Sequence, residues 1–303
     1  MSDITRMDIF SDNTNSNLLD YGNCSIIDIP LGGAMGKFVI VNKFKDNKLC
    51  IVKLQENDSL AVVSEFVASK LANLIGIDCQ NVDLGYYEGK LCCIIEFLTI
   101  GDERIHSYCE INDSSCSDVS DSLWNIPYTL DNIIYVLKHY KDLNITIDER
   151  LIAFQRMCYF DTLIGNFDRH WGNWGFKGYP KRYSICPLYD NGSSLFPNRG
   201  KFGVNKILRN EEELYKRTYT FPTSAIKDEH KNKLHYKDLV TTLISRFGKD
   251  ELIKFCKNVD KINFKDVIYC KELKEILSEE DMVFLTTILK RRYEGLLKSE
   301  LID

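Results

Sequence analysis

The sequence predicts an α+β fold in two parts, a small antiparallel sheet with one packed helix followed by a mainly helical region. Three observations predict it. Short runs rich in β-branched and apolar residues, separated by turn residues, fill residues 24–97. One stretch of helical period interrupts them after the third run. Beyond residue 122 the pattern is dominated by long stretches with apolar residues three and four apart.

The runs Cys24–Ile29, Lys37–Val41 and Leu49–Leu54 read as strands, with Asp46-Asn47 turning between the second and third. Leu60, Val63, Val67, Leu71 and Leu74 then mark a helix that Asp58 or Ser59 can cap and Gly76 can close. Val82–Tyr87 and Leu91–Phe97 read as two further strands around the turn Glu88-Gly89. Residues 101–122 carry six acids against one Arg, with six interleaved serines, and read as a solvated loop. Helices are expected over Leu130–Tyr140, Ile147–Ile164, Tyr236–Arg246, Lys249–Lys257 and Glu279–Leu297. The organisation expected is a flexible leader over 1–20, a sheet-rich lobe over 21–100 and a helical lobe over 101–303.

Composition narrows the class of function. The 303 residues are 44% hydrophobic and 27% charged, as in soluble globular proteins. The longest apolar run, Leu91–Ile95, is far short of the roughly 18 residues a spanning helix needs. A net charge of −5 argues against a nucleic-acid partner, and no basic amphipathic patch suggests a membrane. The N-terminus has no basic-then-apolar export signal, so a cytoplasmic location is expected, with export as an effector left open. Eleven cysteines without a C-x-x-C pair read as buried thiols in a reducing compartment.

Chemistry concentrates in one segment, Leu163-Ile-Gly-Asn-Phe-Asp-Arg-His-Trp-Gly-Asn-Trp-Gly-Phe176, followed by Tyr189-Asp-Asn-Gly192. Phosphoryl transfer needs a carboxylate to take or orient a hydroxyl proton, and a carboxamide and second carboxylate to hold Mg²⁺ against a triphosphate. Asp168-x-x-x-x-Asn173 has the first spacing and Asp190 supplies the second acid. Upstream, Lys53 ends a strand and Glu65 sits twelve residues on in the helix, the order of a phosphate-contacting Lys and the Glu that fixes it. The loop Gly32-Gly33-Ala34-Met35-Gly36-Lys37 can bring backbone N–H groups close to phosphates. Each piece alone is ordinary: glycines make turns, a strand Lys faces solvent, and His170, Trp171 and Trp174 are readable as scaffold. Their joint order is the signal.

The stretches Asp161–His170 and Tyr189–Gly192, with Gly32-Gly33-Ala34, Ser64-Glu-Phe-Val-Ala68 and Phe221-Pro222, resemble the HipA-like serine/threonine kinases over about residues 20–300. In that family Arg-His follows the catalytic Asp, whereas it precedes it in eukaryotic kinases. The resemblance implies a bilobal protein-kinase-like fold and transfer of the ATP γ-phosphate to a protein Ser or Thr, with autophosphorylation. It implies ATP with Mg²⁺, or Mn²⁺ in its place. Asp168 would be the catalytic carboxylate, Asn173 and Asp190 the metal ligands, and Lys53 the phosphate contact held by Glu65. Glu96, Phe97 and Leu98 would meet adenine, the loop 32–37 would cover the phosphates, and His170 would stand among the nucleotide contacts.

Two departures bear on partners. Longer members are toxins with an extra N-terminal subdomain, for which this chain has no room. They also carry a phosphate-loop serine whose modification switches them off, and residues 32–37 contain no Ser or Thr. An antitoxin or a host protein as partner therefore stays open beside the protein substrate. Two other classes stay open as well: a pseudokinase that binds nucleotide without transfer, and a small-molecule or lipid kinase. The span from Asn191 to about Phe221 reads as an activation segment, with hydroxyls at Ser193, Ser194, Thr218 and Thr220.

Overall fold

The structure, a computed structural model, describes residues 16–302 apart from 30, 32–35, 57–58, 116–126, 142 and 181. Its first layer is a six-stranded sheet in the order β1-β5-β6-β4-β3-β2. The strands are β1 Leu19–Asp20, β2 Ser25–Ile27, β3 Lys37–Asn42, β4 Lys48–Leu54, β5 Val82–Tyr87 and β6 Lys90–Glu96. All neighbours are antiparallel except β1 and β5, which run parallel with Leu19 opposite Gly85. The alternation of side chains explains the sheet's two coats. Cys93 and Ile95 join the main core under helix α1, Ala61–Ile75, while Cys92 and Ile94 pack on the opposite face with Tyr21, Cys24 and Tyr87. The adjacent cysteines 92 and 93 thus face opposite sides as buried thiols.

The last residues of the expected leader are instead tied down. Ser16 and Asn17 donate hydrogen bonds to the Glu275 carboxylate, Leu18 is buried, and Leu19–Asp20 add a strand to the sheet. A polar composition hid two residues of pairing. Gly85 permits that pairing, because a Cβ there would lie 2.6 Å from the Leu19 carbonyl and within the Tyr21 ring. Gly85→Ala is therefore expected to detach β1 and cost about 1–3 kcal/mol, read as a lower denaturant midpoint with faster amide exchange at residues 19–21.

Helix α1 also begins differently from expectation. Among the described residues its first turn has no side-chain cap, and Ser59 does not serve as one; the Leu60 N–H donates to the Pro197 carbonyl at 2.7 Å. Asp58, the other expected cap, lies outside the described residues. At the far end Gly76 closes the helix in the left-handed conformation, as the sequence predicts, and Asn258 Nδ2 caps the Ile75 carbonyl at 3.0 Å.

The rest of the chain is mainly helical. Helices α2 Tyr108–Ser115, α3 Leu130–His139 and α4 Ile147–Ile164 come first. Next are α5 Val204–Leu208, α6 Glu211–Tyr215 and a π-helical turn, Lys216–Thr220. Helices α7 Tyr236–Phe247, α8 Asp250–Val259, α9 Phe264–Ile268, α10 Lys271–Lys274 and α11 Glu279–Arg292 complete the lobe. Helix α4 starts on a capping box, Thr146 with Glu149. The expected helix over 279–297 is α11 followed by a π-helical turn, Tyr293–Leu297, whose Gly295 leaves room for the Tyr219 ring.

A second, three-stranded sheet was not expected. It is formed by β7 Arg104–Ser107, β8 Gly175–Tyr179 and β9 Arg182–Ile185 in that order. The stretch read as a solvated loop thus contributes β7 and α2, with Tyr108 and Ile111 buried. Strands of four or five residues carry little periodicity, and the acidic composition masked their few apolar anchors. The main core runs without a break from α1 through α4, α8 and α11. No helix among the described residues is long and apolar enough to cross a membrane.

Candidate active site

Helix α4 delivers the motif. It ends at Gly165, whose φ of 64° is left-handed. A Cβ at Gly165 would also press on Pro222 and the Arg292 guanidinium, so both conformation and space call for glycine. Asn166 follows, fully buried, and its Oδ1 accepts the Asp168 N–H at 3.0 Å. This short turn leaves Asp168 half-buried, with no hydrogen bond or ion pair to its carboxylate among the described residues. Asn173 Nδ2 donates to the Asp168 carbonyl at 2.9 Å. The five-residue spacing is therefore a closed loop in which the Asn173 Oδ1 is the carboxamide's open acceptor.

Arg169 organises the surrounding backbone, a role the sequence reading did not assign. It is buried and uses all five N–H groups. Nε and Nη2 grip the Asp161 carboxylate at 2.9 and 3.0 Å, Nη1 donates to the Asn173 and Tyr189 carbonyls at 2.8 and 2.6 Å, and Nη2 also donates to Asn191 Oδ1 at 2.5 Å. One guanidinium thus joins the end of α4, the loop with Asp168 and Asn173, and the segment with Asp190. Burial pulls the Arg169 guanidinium down, and the facing Asp161 carboxylate more than reverses it. The signal available in the sequence was a charged residue, Asp161, in the apolar end of α4.

Asp190 sits at φ 54°, a left-handed conformation uncommon for a residue with a side chain. Its Oδ1 accepts from Lys53 Nζ at 2.9 Å, and the same Nζ donates to Glu65 Oε1 at 2.6 Å. Glu65 Oε2 in turn accepts the Asn191 N–H at 2.8 Å. Strand β4, helix α1 and the segment after β9 therefore meet in one ion triad. The Lys53 side chain is 12% exposed and that of Glu65 3%, whereas Asp190 at 48% still faces the cleft. Burial alone would depress the Lys53 ammonium, but Glu65 and Asp190 hold it above its usual range. Burial likewise works to raise the Asp190 carboxyl, yet Lys53 keeps it below the usual carboxylate range. Both groups are charged at neutral pH.

Other expected residues fall less simply. Gly32, Gly33, Ala34 and Met35 lie outside the described residues. Gly36 donates its N–H to Glu56 Oε1 at 3.2 Å, and Lys37 pairs across the β3–β4 ladder with Lys53. Glu96 has its N–H on the Asn81 carbonyl and its own carbonyl on Gln80 Nε2, while its carboxylate pairs with Lys45. The Leu98 carbonyl accepts from Lys177 Nζ at 3.0 Å. The backbone over 96–98, implied as the adenine edge, thus has protein partners at Glu96 and at the Leu98 carbonyl, and all three residues are half-buried. His170 is exposed, and its Nδ1 accepts the Gly172 N–H at 3.0 Å. Trp174 is buried against Tyr108, with ring centroids 4.8 Å apart.

The donor set fits a magnesium-nucleotide. Oxygen atoms of one carboxylate and one carboxamide, Asp190 Oδ2 and Asn173 Oδ1, have no hydrogen-bond partner among the described residues and are hard ligands. A fixed ammonium, Lys53, lies beside Asp190. No group of three His, Cys, Asp or Glu side chains among the described residues forms a metal cage, and Mg²⁺ in phosphoryl-transfer sites takes much of its shell from phosphates and water.

The chain is 30% identical over 295 residues to the serine/threonine-protein kinase CtkA of Helicobacter pylori (strain J99 / ATCC 700824), covering 90% of this chain and 82% of that protein. It superposes on the crystal structure of the H. pylori proinflammatory kinase CtkA with a TM-score of 0.81 at 28% identity, covering 93% of this chain and 96% of that one. The fold alone is shared with HipA of Shewanella oneidensis MR-1, solved with HipB and operator DNA, at TM-score 0.53 and 16% identity over 89% of this chain and 66% of that one. The family described as the HipA-like C-terminal domain matches residues 29–257, and the chain belongs to that family, with its kinase fold.

Proposed function

We propose that the protein is a serine/threonine protein kinase that uses ATP and Mg²⁺. The observation that carries this reading is the Lys53–Glu65–Asp190 triad, locked through Asn191 and Arg169 to the loop bearing Asp168 and Asn173. Mg-ATP, when bound, supplies the γ-phosphoryl group and the positive charge that offsets its oxygens. Asn173 and Asp190 would hold the metal, and Lys53 the phosphates. Asp168, its carboxylate unpartnered among the described residues, would orient the acceptor hydroxyl and take its proton. Little covalent work is left to the protein, so positioning and charge account for the rate. We also propose a cytoplasmic setting, which suits the ten described cysteines, all present as free thiols.

Incubation with labelled ATP, Mg²⁺ and a generic protein substrate tests the reading. Phosphoserine or phosphothreonine on the substrate is the expected result, and label on the kinase itself reports autophosphorylation. Thermal stabilisation by Mg-ATP without transfer would point to a nucleotide-binding pseudokinase, and label confined to small molecules or lipid to another acceptor class.

Lys53→Met separates the triad's roles. It leaves Glu65 with the Asn191 N–H as its remaining partner, so stability should fall by about 1–3 kcal/mol. Affinity for Mg-ATP should fall as well, measurable by calorimetric titration.

A further inference from the structure

Helix α11 ends on Arg292, which is fully buried. No carboxylate lies within ion-pair distance of it among the described residues; its partners are backbone carbonyls. Nε donates to Thr162 O at 2.8 Å, near the end of α4, and Nη1 donates to Arg217 O at 3.3 Å and Thr218 O at 2.9 Å in the π-helical turn. The guanidinium lies over the Tyr236 ring, 5.0 Å from its centroid, and the Tyr236 hydroxyl donates to the Asn166 carbonyl. Nη2 is buried without a hydrogen-bond partner among the described residues.

This is a costly residue to bury. A charge removed from water without an opposite charge is expensive, and an apolar side chain of similar volume is often at least as stable in its place. What the guanidinium achieves is geometric. Asn166, reached through Tyr236, holds the Asp168 N–H. Phe221, directly after the π-helical turn and 42% exposed, stacks on Phe167, directly before Asp168, with centroids 6.3 Å apart. The turn therefore ends against the loop that carries Asp168, on a ring that is itself partly open to solvent.

We propose that Arg292 is a positioning residue for phosphotransfer, joining the turn Lys216–Thr220 to the Asp168 loop so that acceptor and carboxylate are held in register. The role rests on the kinase reading but is distinct from nucleotide binding, since no Arg292 contact touches the Lys53–Glu65–Asp190 triad.

The test is Arg292→Met. Transfer to protein should fall about tenfold or more, as expected for a misplaced reacting group, while KM for Mg-ATP stays within about twofold. Amide exchange should quicken at residues 164–168 and 216–221 and stay unchanged in the first sheet. Parental transfer, or a parallel loss of ATP affinity with exchange raised throughout the chain, would overturn the proposal. Should the variant fail to fold, Tyr236→Phe removes only the hydroxyl link to Asn166. The same split is then expected, at about threefold, and parental kinetics would count equally against the proposal. If the wild-type protein transfers no phosphate, the kinase reading falls and takes the catalytic part with it. The exchange pattern still decides whether Arg292 links the two segments.

Discussion

Replacing Asp168 with Asn is expected to slow phosphotransfer by about 10²–10⁴-fold while the protein stays folded. Its carboxylate supports no hydrogen bond or ion pair among the described residues, and its backbone is held by Asn166 and Asn173, whose contacts the substitution leaves in place. The amide would keep the shape but could not accept the hydroxyl proton. Mg-ATP binding should therefore survive, because the triad and Asn173 are untouched. Single-turnover transfer beside calorimetric ATP binding checks both halves. A variant that transfers at the parental rate would remove Asp168 from the chemistry.

Asp161→Asn should produce the largest loss of stability, about 3–5 kcal/mol, because it strands the buried Arg169 charge. For a chain of this length that corresponds to a fall in Tm of roughly 5–8 °C. Activity should fall too, since Arg169 would no longer hold the Asn173 and Tyr189 carbonyls at fixed distances. Differential scanning calorimetry reads the first effect. A Tm within a degree or two of the parent would show that Arg169 draws its stability from the carbonyls alone.

The sequence made some of this legible for physical reasons. Strands β3 to β6 and helices α1, α3, α4, α7 and α8 have enough length for their period to show, and Gly76 closes α1 as its position suggests. The spacing Asp168 to Asn173 and the pairing of Lys53 with Glu65 were readable because they join residues through one loop or one strand-to-helix unit. Asn191 and Arg169 stood inside the quoted motifs, yet their roles depend on partners 126 and 8 residues away. Arg292 is further removed still, bonding residues 130 and 74 positions back from a helix end that looks like solvated charge. The second sheet escaped because its strands are short and its edge lies in acidic sequence. The backbone partners of Glu96, Asn81 and Gln80, were not legible because main-chain pairing leaves no trace in side-chain pattern.

The first turn of α1 is anchored by Pro197, and Ser64 Oγ donates to the Ser194 carbonyl at 2.7 Å, so this helix is bolted to the chain that follows Asp190. In many kinases an inactive form is reached by swinging the corresponding helix outward and parting the Lys–Glu pair. Here that swing would have to tear out both anchors and the Asn191 contact together.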